Sequence, residues 1–181
     1  MPRVLLATEH PFIYVGNDDE INLYFRLSVI EALAKIASEE TGRYLLQRIA
    51  DAPVAAHPNG WKVKISRPRV AADLTPASRG PGSEGGSMAA ANGEGAAQSG
   101  AGSVSYLAWN PNIYNTPNGT RPNYIALAHE HVHCMHNAEG TKKRDYGEEE
   151  SFTVGIGAYA GELVTENNIR AEHGIAARTE Y

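Results

Sequence analysis

Two histidines four residues apart, His129 and His133, with Glu130 between them, are the residues of this 181-residue chain best suited to chemistry. On an α-helix, positions four apart stand one turn above each other on one face, so both imidazoles can address a single metal ion. Glu130 is turned by about 100° from His129, where a carboxylate can reach an attacking water without taking a ligand's place. That is the position of a general base, and zinc is the ion that this HExxH spacing calls for. The neighbours Ile125, Leu127, Ala128 and Val132 are apolar. A buried helix admits His and Glu only where something such as a metal satisfies them.

A catalytic zinc needs three protein ligands and an open position, so the pair is incomplete alone. His136 lies seven residues from His129 on the same face, but about 10.5 Å along the axis at 1.5 Å per residue, too far for one ion. An orienting, substrate-contacting or surface role suits it better. His131 is off the ligand face and reads as structural or exposed, and Cys134 as a small core residue. The third ligand is expected from the acidic run Glu148-Glu149-Glu150, with Glu150 first and Glu149 close behind, because the apolar segment Phe152 to Gly157 that follows should pack on the zinc helix. A donor for the developing oxyanion is also required, and Tyr181, Arg178, Tyr159 and His136 are the candidates.

The elements that must position these groups follow from periodicity. Asn17 with Glu20 predicts a helix start, and Ile21, Tyr24, Leu27, Ile30, Leu33 and Ile36 predict its core stripe. A break at Thr41-Gly42-Arg43 leads to a second short helix carrying Leu45, Leu46 and Ile49 and ending before Pro53. After the turn Pro58-Asn59-Gly60, Trp61, Val63 and Ile65 alternate with polar residues as in a half-buried strand. Residues 76–103 are rich in Gly, Ala and Ser and predict a mobile loop with no part in a core. Val104 to Trp109 reads as a further strand, the candidate edge on which an extended peptide would align. The zinc helix is expected to begin at Pro122 and to end near Asn137 or Gly140. Thr165 to Gly174 predicts a short C-terminal helix whose Asn and Arg residues make polar contacts near the site.

Composition narrows the function. The net charge of −5 and a pI near 5.8 speak against nucleic-acid binding, and the longest basic run is Lys142-Lys143-Arg144. A single cysteine cannot close an intrachain disulfide. No stretch has the length and apolarity of a membrane span, and Met1 to Ala7 is too short for a signal-peptide core. The expected organisation is one α+β domain over 1–181, with a small sheet, an active-site HExxH helix and a Gly-rich loop.

The order of a Gly-rich loop, Trp109-Asn110-Pro111, Ala126-Leu127-Ala128-His129-Glu130-x-x-His133, Glu149-Glu150-x-x-Thr153-Val154-Gly155, Glu166-Asn167-x-x-Arg170 and Arg178-x-x-Tyr181 resembles the NleD-like effector metallopeptidases. The chain departs from their pattern at His131, where an apolar residue such as Leu is expected. The resemblance implies a zincin-like fold, a bound zinc, and a bacterial effector or toxin domain. Such a protein is secreted into a target-cell cytoplasm to cut a protein there, a mitogen-activated protein kinase in members related to NleD. It also implies a cognate immunity protein or secretion chaperone as partner. The competing reading is a zinc-stabilised interaction domain that cuts nothing, and Glu130, which a closed structural site does not need, discriminates between the two.

Overall fold

The computed structural model describes residues 10–16, 23–68, 87–112, 115–116 and 119–181. The predicted helix start at Asn17, with Asp18 to Ile21, and residues 76–86 of the Gly-rich segment lie outside the described residues. Four strands form one sheet: β1 (Ile13–Val15), β2 (Val63–Ser66), β4 (Ser105–Ala108) and β3 (Met88–Ala91), in that spatial order. The first three are parallel, and β3 runs antiparallel to β4 with Ala89 opposite Leu107 and Ala90 opposite Tyr106. Alternation in β1, β2 and β4 turns Ile13, Val15, Val63, Ile65, Ser105 and Leu107 into the core. β1 was not anticipated from the sequence, because three residues are too short a run to show a period.

The helices α1 (Leu23–Ile36), α2 (Glu40–Asp51), α4 (Asn123–Glu139), α5 (Tyr146–Val154) and α6 (Glu166–Glu172), with the single turn α3 (Glu94–Ala97), surround one buried element, α4. Every residue of α4 from Ile125 to Ala138 is buried. A two-residue antiparallel pair, β5 (Asn115–Thr116) with β6 (Gly119–Thr120), precedes it. Trp109, fully buried at the end of β4, donates its indole N–H to Asn123 O at 3.3 Å and so fixes where α4 begins. The helix ends as expected, at Gly140 in the left-handed conformation (φ 75°).

Three expectations are corrected. In α1 the buried face is Phe25, Val29, Ala32, Leu33 and Ile36, whereas Tyr24, Leu27 and Ile30 are exposed. The helix is apolar nearly all round, so two stripes of helical spacing compete and only packing selects one. Gly42 is no helix breaker: α2 starts at Glu40, and a methyl on Gly42 would lie 1.8 Å from Ile36 O, so glycine lets the two helices meet. Glu172 of α6 takes the place of a cap, accepting from the Thr41 amide at 3.0 Å.

The third correction concerns the Gly-rich segment. Residues 88–103 are built into the fold as the edge strand β3 and the turn α3, and β4 is an interior strand. The small residues serve close packing against the end of α4. Gly102 (φ 78°) donates to Ala96 O, and a Cβ on it would meet Ala138 O at 2.2 Å. Gly100 N donates to Gly140 O at 3.0 Å, and Ser103 N to Asn137 O at 2.8 Å.

A pair of glycine variants tests this reading of small residues. Gly42→Ala is expected to lower stability by about 1–3 kcal/mol or more, since backbone must move. Gly95→Ala, where nothing lies within 4 Å of the added methyl, is expected to be neutral or to stabilise by up to about 1 kcal/mol. Thermal unfolding of both proteins measures the difference.

Candidate active site

Helix α4 presents His129 and His133 one turn apart, and their Nε2 atoms approach to 3.2 Å. Glu150, on α5, brings its carboxylate to the same point, with Oε2 3.2 Å from His129 Nε2 and Oε1 3.3 Å from His133 Nε2. All three side chains are buried. Asp145 starts α5 by accepting from the Glu148 amide at 2.8 Å, and that start sets the rotation of the helix. Adjacent residues on a helix diverge by about 100°, so Glu149 cannot occupy the same place as Glu150. It turns to the other nitrogen of the same ring, and its Oε1 lies 2.9 Å from His133 Nδ1.

Each imidazole is anchored at Nδ1 by a carboxylate. Glu149 Oε1 also accepts from His136 Nδ1 at 2.8 Å, and its Oε2 accepts from the Lys143 amide at 2.8 Å. Thr153 Oγ1 lies 3.0 Å from His133 Nδ1. His129 Nδ1 faces Glu166 Oε2 at 2.8 Å, and Glu166, fully buried at the start of α6, is held in turn by Arg170 Nε at 2.6 Å and an Arg178 guanidinium nitrogen at 3.0 Å. Arg121 stands 3.5 Å from the same carboxylate.

Carboxylates accept only, so these anchors place a proton on each Nδ1. An Nδ1–H donating to a carboxylate leaves Nε2 as a bare acceptor. The two Nε2 atoms and the Glu150 carboxylate therefore form a buried, electron-rich place that draws positive charge, either as a proton shared with Glu150 or as a metal ion. Burial alone would lower the pKa of His133, but its hydrogen bonds to Glu149 and Glu150, with the Glu130 charge, push it up to about 10. His129 is raised likewise against burial by Glu150 and Glu166. Burial would raise Glu149, yet His133 and His136 hold it down at about 2. Glu150 and Glu166 are also held well below the usual carboxylate range, by the two histidines and by His129 with Arg121 and Arg178. Nitrogen and carboxylate donors in this number and spacing fit a zinc ion, which would supply the missing charge.

Other expected groups fall in different places. His136 is fully buried behind Glu149 and stacks on Phe152 with ring centroids 3.9 Å apart, so it is no surface residue. Arg178 is committed to Glu166 and, through its backbone, to Asn167. The Tyr159 hydroxyl donates to Glu148 at 2.5 Å. Tyr181 is half exposed, with its ring edge against Tyr146 at 5.7 Å. His131 is fully buried: Nδ1 meets Leu127 O at 2.8 Å, and Nε2 has no partner among the described residues. The buried Cys134 thiol is pushed up by desolvation and is a core residue. Tyr146, which hydrogen-bonds with Glu150 and Tyr181, and the anchoring work of Glu149 were missed in the sequence. Their signal was the EE pair itself, whose two members must point to different atoms.

An HExxH helix packed on a small, mostly parallel sheet with one antiparallel edge strand, and a downstream glutamate beside both histidines, defines a zincin-like α+β metallopeptidase. Similarity agrees: the botulinum neurotoxin type G light chain superposes with a TM-score of 0.50 at 16% identity, over 82% of this chain and 48% of that one. This chain thus spans about half the length of that relative, and none of the curated proteins is significantly similar in sequence. Residues 12–181 match peptidase family M91, described as effector protein, and the chain belongs to that family of metalloendopeptidases. Membership in a peptidase family speaks against the reading as a domain that cuts nothing. Among the described residues no helix is long and apolar enough to cross a membrane.

The unpartnered nitrogen of His131 yields a prediction independent of catalysis. His131→Leu is expected to retain the fold and to raise stability by about 1 kcal/mol, because a buried polar atom without a hydrogen bond costs about 1–3 kcal/mol. A lower midpoint in thermal or urea unfolding would contradict it.

Proposed function

We propose that the protein is a zinc-dependent endopeptidase, secreted by a bacterium and delivered into the target-cell cytoplasm as an effector or toxin, where it cuts a protein. The observation that carries this reading is the meeting of His129 Nε2 and His133 Nε2, 3.2 Å apart on the helix that also carries Glu130, with the Glu150 carboxylate, whose Oε2 and Oε1 lie 3.2 and 3.3 Å from them. His129, His133 and Glu150 would hold the ion, three ligands with a place left open. Glu149, the other candidate, has both oxygens engaged by His133, His136 and Lys143, so it is the orienting partner.

When bound, zinc supplies Lewis acidity toward the water and the scissile carbonyl. Glu130 accepts the proton of the attacking water and passes it to the leaving amine. Glu149 and Glu166 keep each imidazole in the tautomer that presents Nε2 to the centre. Arg178, Tyr159 and His136 are committed elsewhere, so the donor for the developing oxyanion comes from the tyrosine pair beside Glu150, Tyr181 with its hydrogen-bonded neighbour Tyr146. The substrate aligns along β3, the edge strand next to α4, rather than along β4, which is paired on both sides. Following the resemblance, the target is a mitogen-activated protein kinase, with an immunity protein or secretion chaperone as companion. The whole construction rests on 1–181 acting as one domain.

Zinc content and ligand variants test the first half. The purified protein is expected to hold about one zinc. Glu149→Ala should weaken it about 10–100-fold, as loss of an orienting partner does, Glu150→Ala more, and His136→Ala least. Metal retained in Glu150→Ala but lost in His136→Ala would overturn the ligand set.

Glu130→Gln tests the second half. The variant is expected to keep its fold and its zinc while cutting about 10²- to 10⁴-fold more slowly, the usual contribution of a positioned base. New N-termini in cells expressing each form, identified by mass spectrometry, provide the readout and name the substrate. Undiminished cutting by the Gln variant would remove Glu130 from the mechanism.

A further inference from the structure

Tyr146 is the first residue of α5, four before Glu150, so the two side chains stand on one face of the helix, about 6 Å apart along its axis. Glu150 carries that face to His129 and His133. The Tyr146 hydroxyl donates to the Glu150 carboxylate and is hydrogen-bonded to the Tyr181 hydroxyl. The two rings meet edge to face, with centroids 5.7 Å apart and planes at 72°. An aromatic pair is thereby attached directly to a metal-binding carboxylate, at the outer end of the face that forms the centre.

The pair is open where the centre is closed. Tyr146 is 69% exposed and Tyr181 45%, whereas His129, His133 and Glu150 are buried. The hydroxyls are engaged with each other and with Glu150, so the surface left free is mainly ring carbon. Among the described residues no lysine or arginine lies over either ring, and neither ring has an aromatic neighbour other than its partner. Two rings set edge to face make a corner, and an aromatic ring or a long aliphatic chain entering it gains contact on two sides. Other occupants fit less well. A carboxylate is repelled by the ring faces and by Glu150, and an amide would lose water without finding a free partner. Both Glu150 oxygens are already spent on the histidines, so a basic head has no carboxylate of its own.

We propose that Tyr146 and Tyr181 form a specificity subsite against the metal-binding centre, one that takes a large apolar or aromatic side chain of the substrate next to the scissile bond. The proposal rests on the endopeptidase reading and adds the class of sequence that is cut. No bond is made or broken by the rings, and their effect is on which peptides dock productively.

The test uses the zinc-loaded full chain, Tyr146→Phe and Tyr146→Ala, each incubated with a library of short peptides of randomised sequence. Cut sites are read by mass spectrometry, and cuts that persist after the metal is chelated are discounted. The wild type is expected to favour Phe, Leu or Met over Ala or Asn about tenfold at one fixed position adjoining the cut, the worth of covering part of one such side chain. Tyr146→Phe loses the hydroxyl and keeps the ring, so it should cut more slowly throughout and retain that ratio. Tyr146→Ala should bring the ratio close to one. Circular dichroism checks the fold, and the wild-type profile with Tyr146→Phe decides if the Ala variant does not fold. No apolar preference beside the cut, a preference there for charged residues, the same ratio in Tyr146→Ala, or a ratio lost in Tyr146→Phe overturns the subsite and leaves the endopeptidase standing. No cutting of any peptide by the zinc-loaded wild type overturns the endopeptidase reading and the subsite with it.

Discussion

Two imidazole Nε2 atoms 3.2 Å apart, with the two oxygens of one carboxylate at 3.2 and 3.3 Å from them in a buried place, constitute the constraint on which this structure depends. Lone pairs repel, so the arrangement survives only if the backs of both rings are clamped and positive charge enters from the front. The clamps are Glu149 and Glu166, and each carboxylate is itself buried and must be satisfied. Glu149 takes His136 and the Lys143 amide, while Glu166 takes Arg170 and Arg178. Removing one member of such a network leaves an uncompensated buried charge, typically a loss of about 3–5 kcal/mol.

The folding of the rest of the chain follows from that requirement. Glu166 must reach His129 from α6, and Arg178 must return from beyond α6 to hold it, so the C-terminal segment is drawn against α4. On another side Arg48 of α2 makes a two-bonded pair with Glu139 at the end of α4, at 2.7 and 2.6 Å. With the sheet beneath and α1 alongside, α4 has no solvent face at all. That explains why most positions of the helix outside the site are apolar, with His131 and Asn137 as buried polar exceptions.

The sequence disclosed the chemistry more fully than the architecture. His129, Glu130 and His133 were legible because their spacing matches a helical turn, and Glu150 because an acidic pair before an apolar run has few structural uses. β2 was legible from alternation, and β4 as an ordered run closed by Asn110-Pro111. The face of α1 was not, since Leu23, Tyr24, Phe25, Leu27, Val29 and Ile30 satisfy helical spacing in more than one way and only the neighbouring layer chooses. Glycines misled twice, at Gly42 and through 88–103, because a missing side chain signals either freedom or a close approach of backbones. Composition cannot separate the two. The clamp on His129 was hidden for another reason: Glu166 is 37 residues from it in sequence, and no local pattern records that distance.

The misread glycines bear directly on the proposed reaction. β3 carries alanines and an exposed methionine, Met88 to Ala91, so little side-chain bulk stands between its backbone and an arriving peptide. Its position relative to the metal-binding helix is set downstream, where Gly100, Gly102 and Ser103 meet the C-terminal turn of α4 through hydrogen bonds of 2.8–3.0 Å or through contacts that exclude a methyl group. Backbone-to-backbone contacts have no rotamers to adjust. A strand registered in this way would hold an extended chain at one distance from His129, His133 and Glu130, and a nucleophilic attack is sensitive to displacements of about 1 Å. The same residues that made this segment look like a loop are therefore the ones that fix the edge on which a substrate would lie.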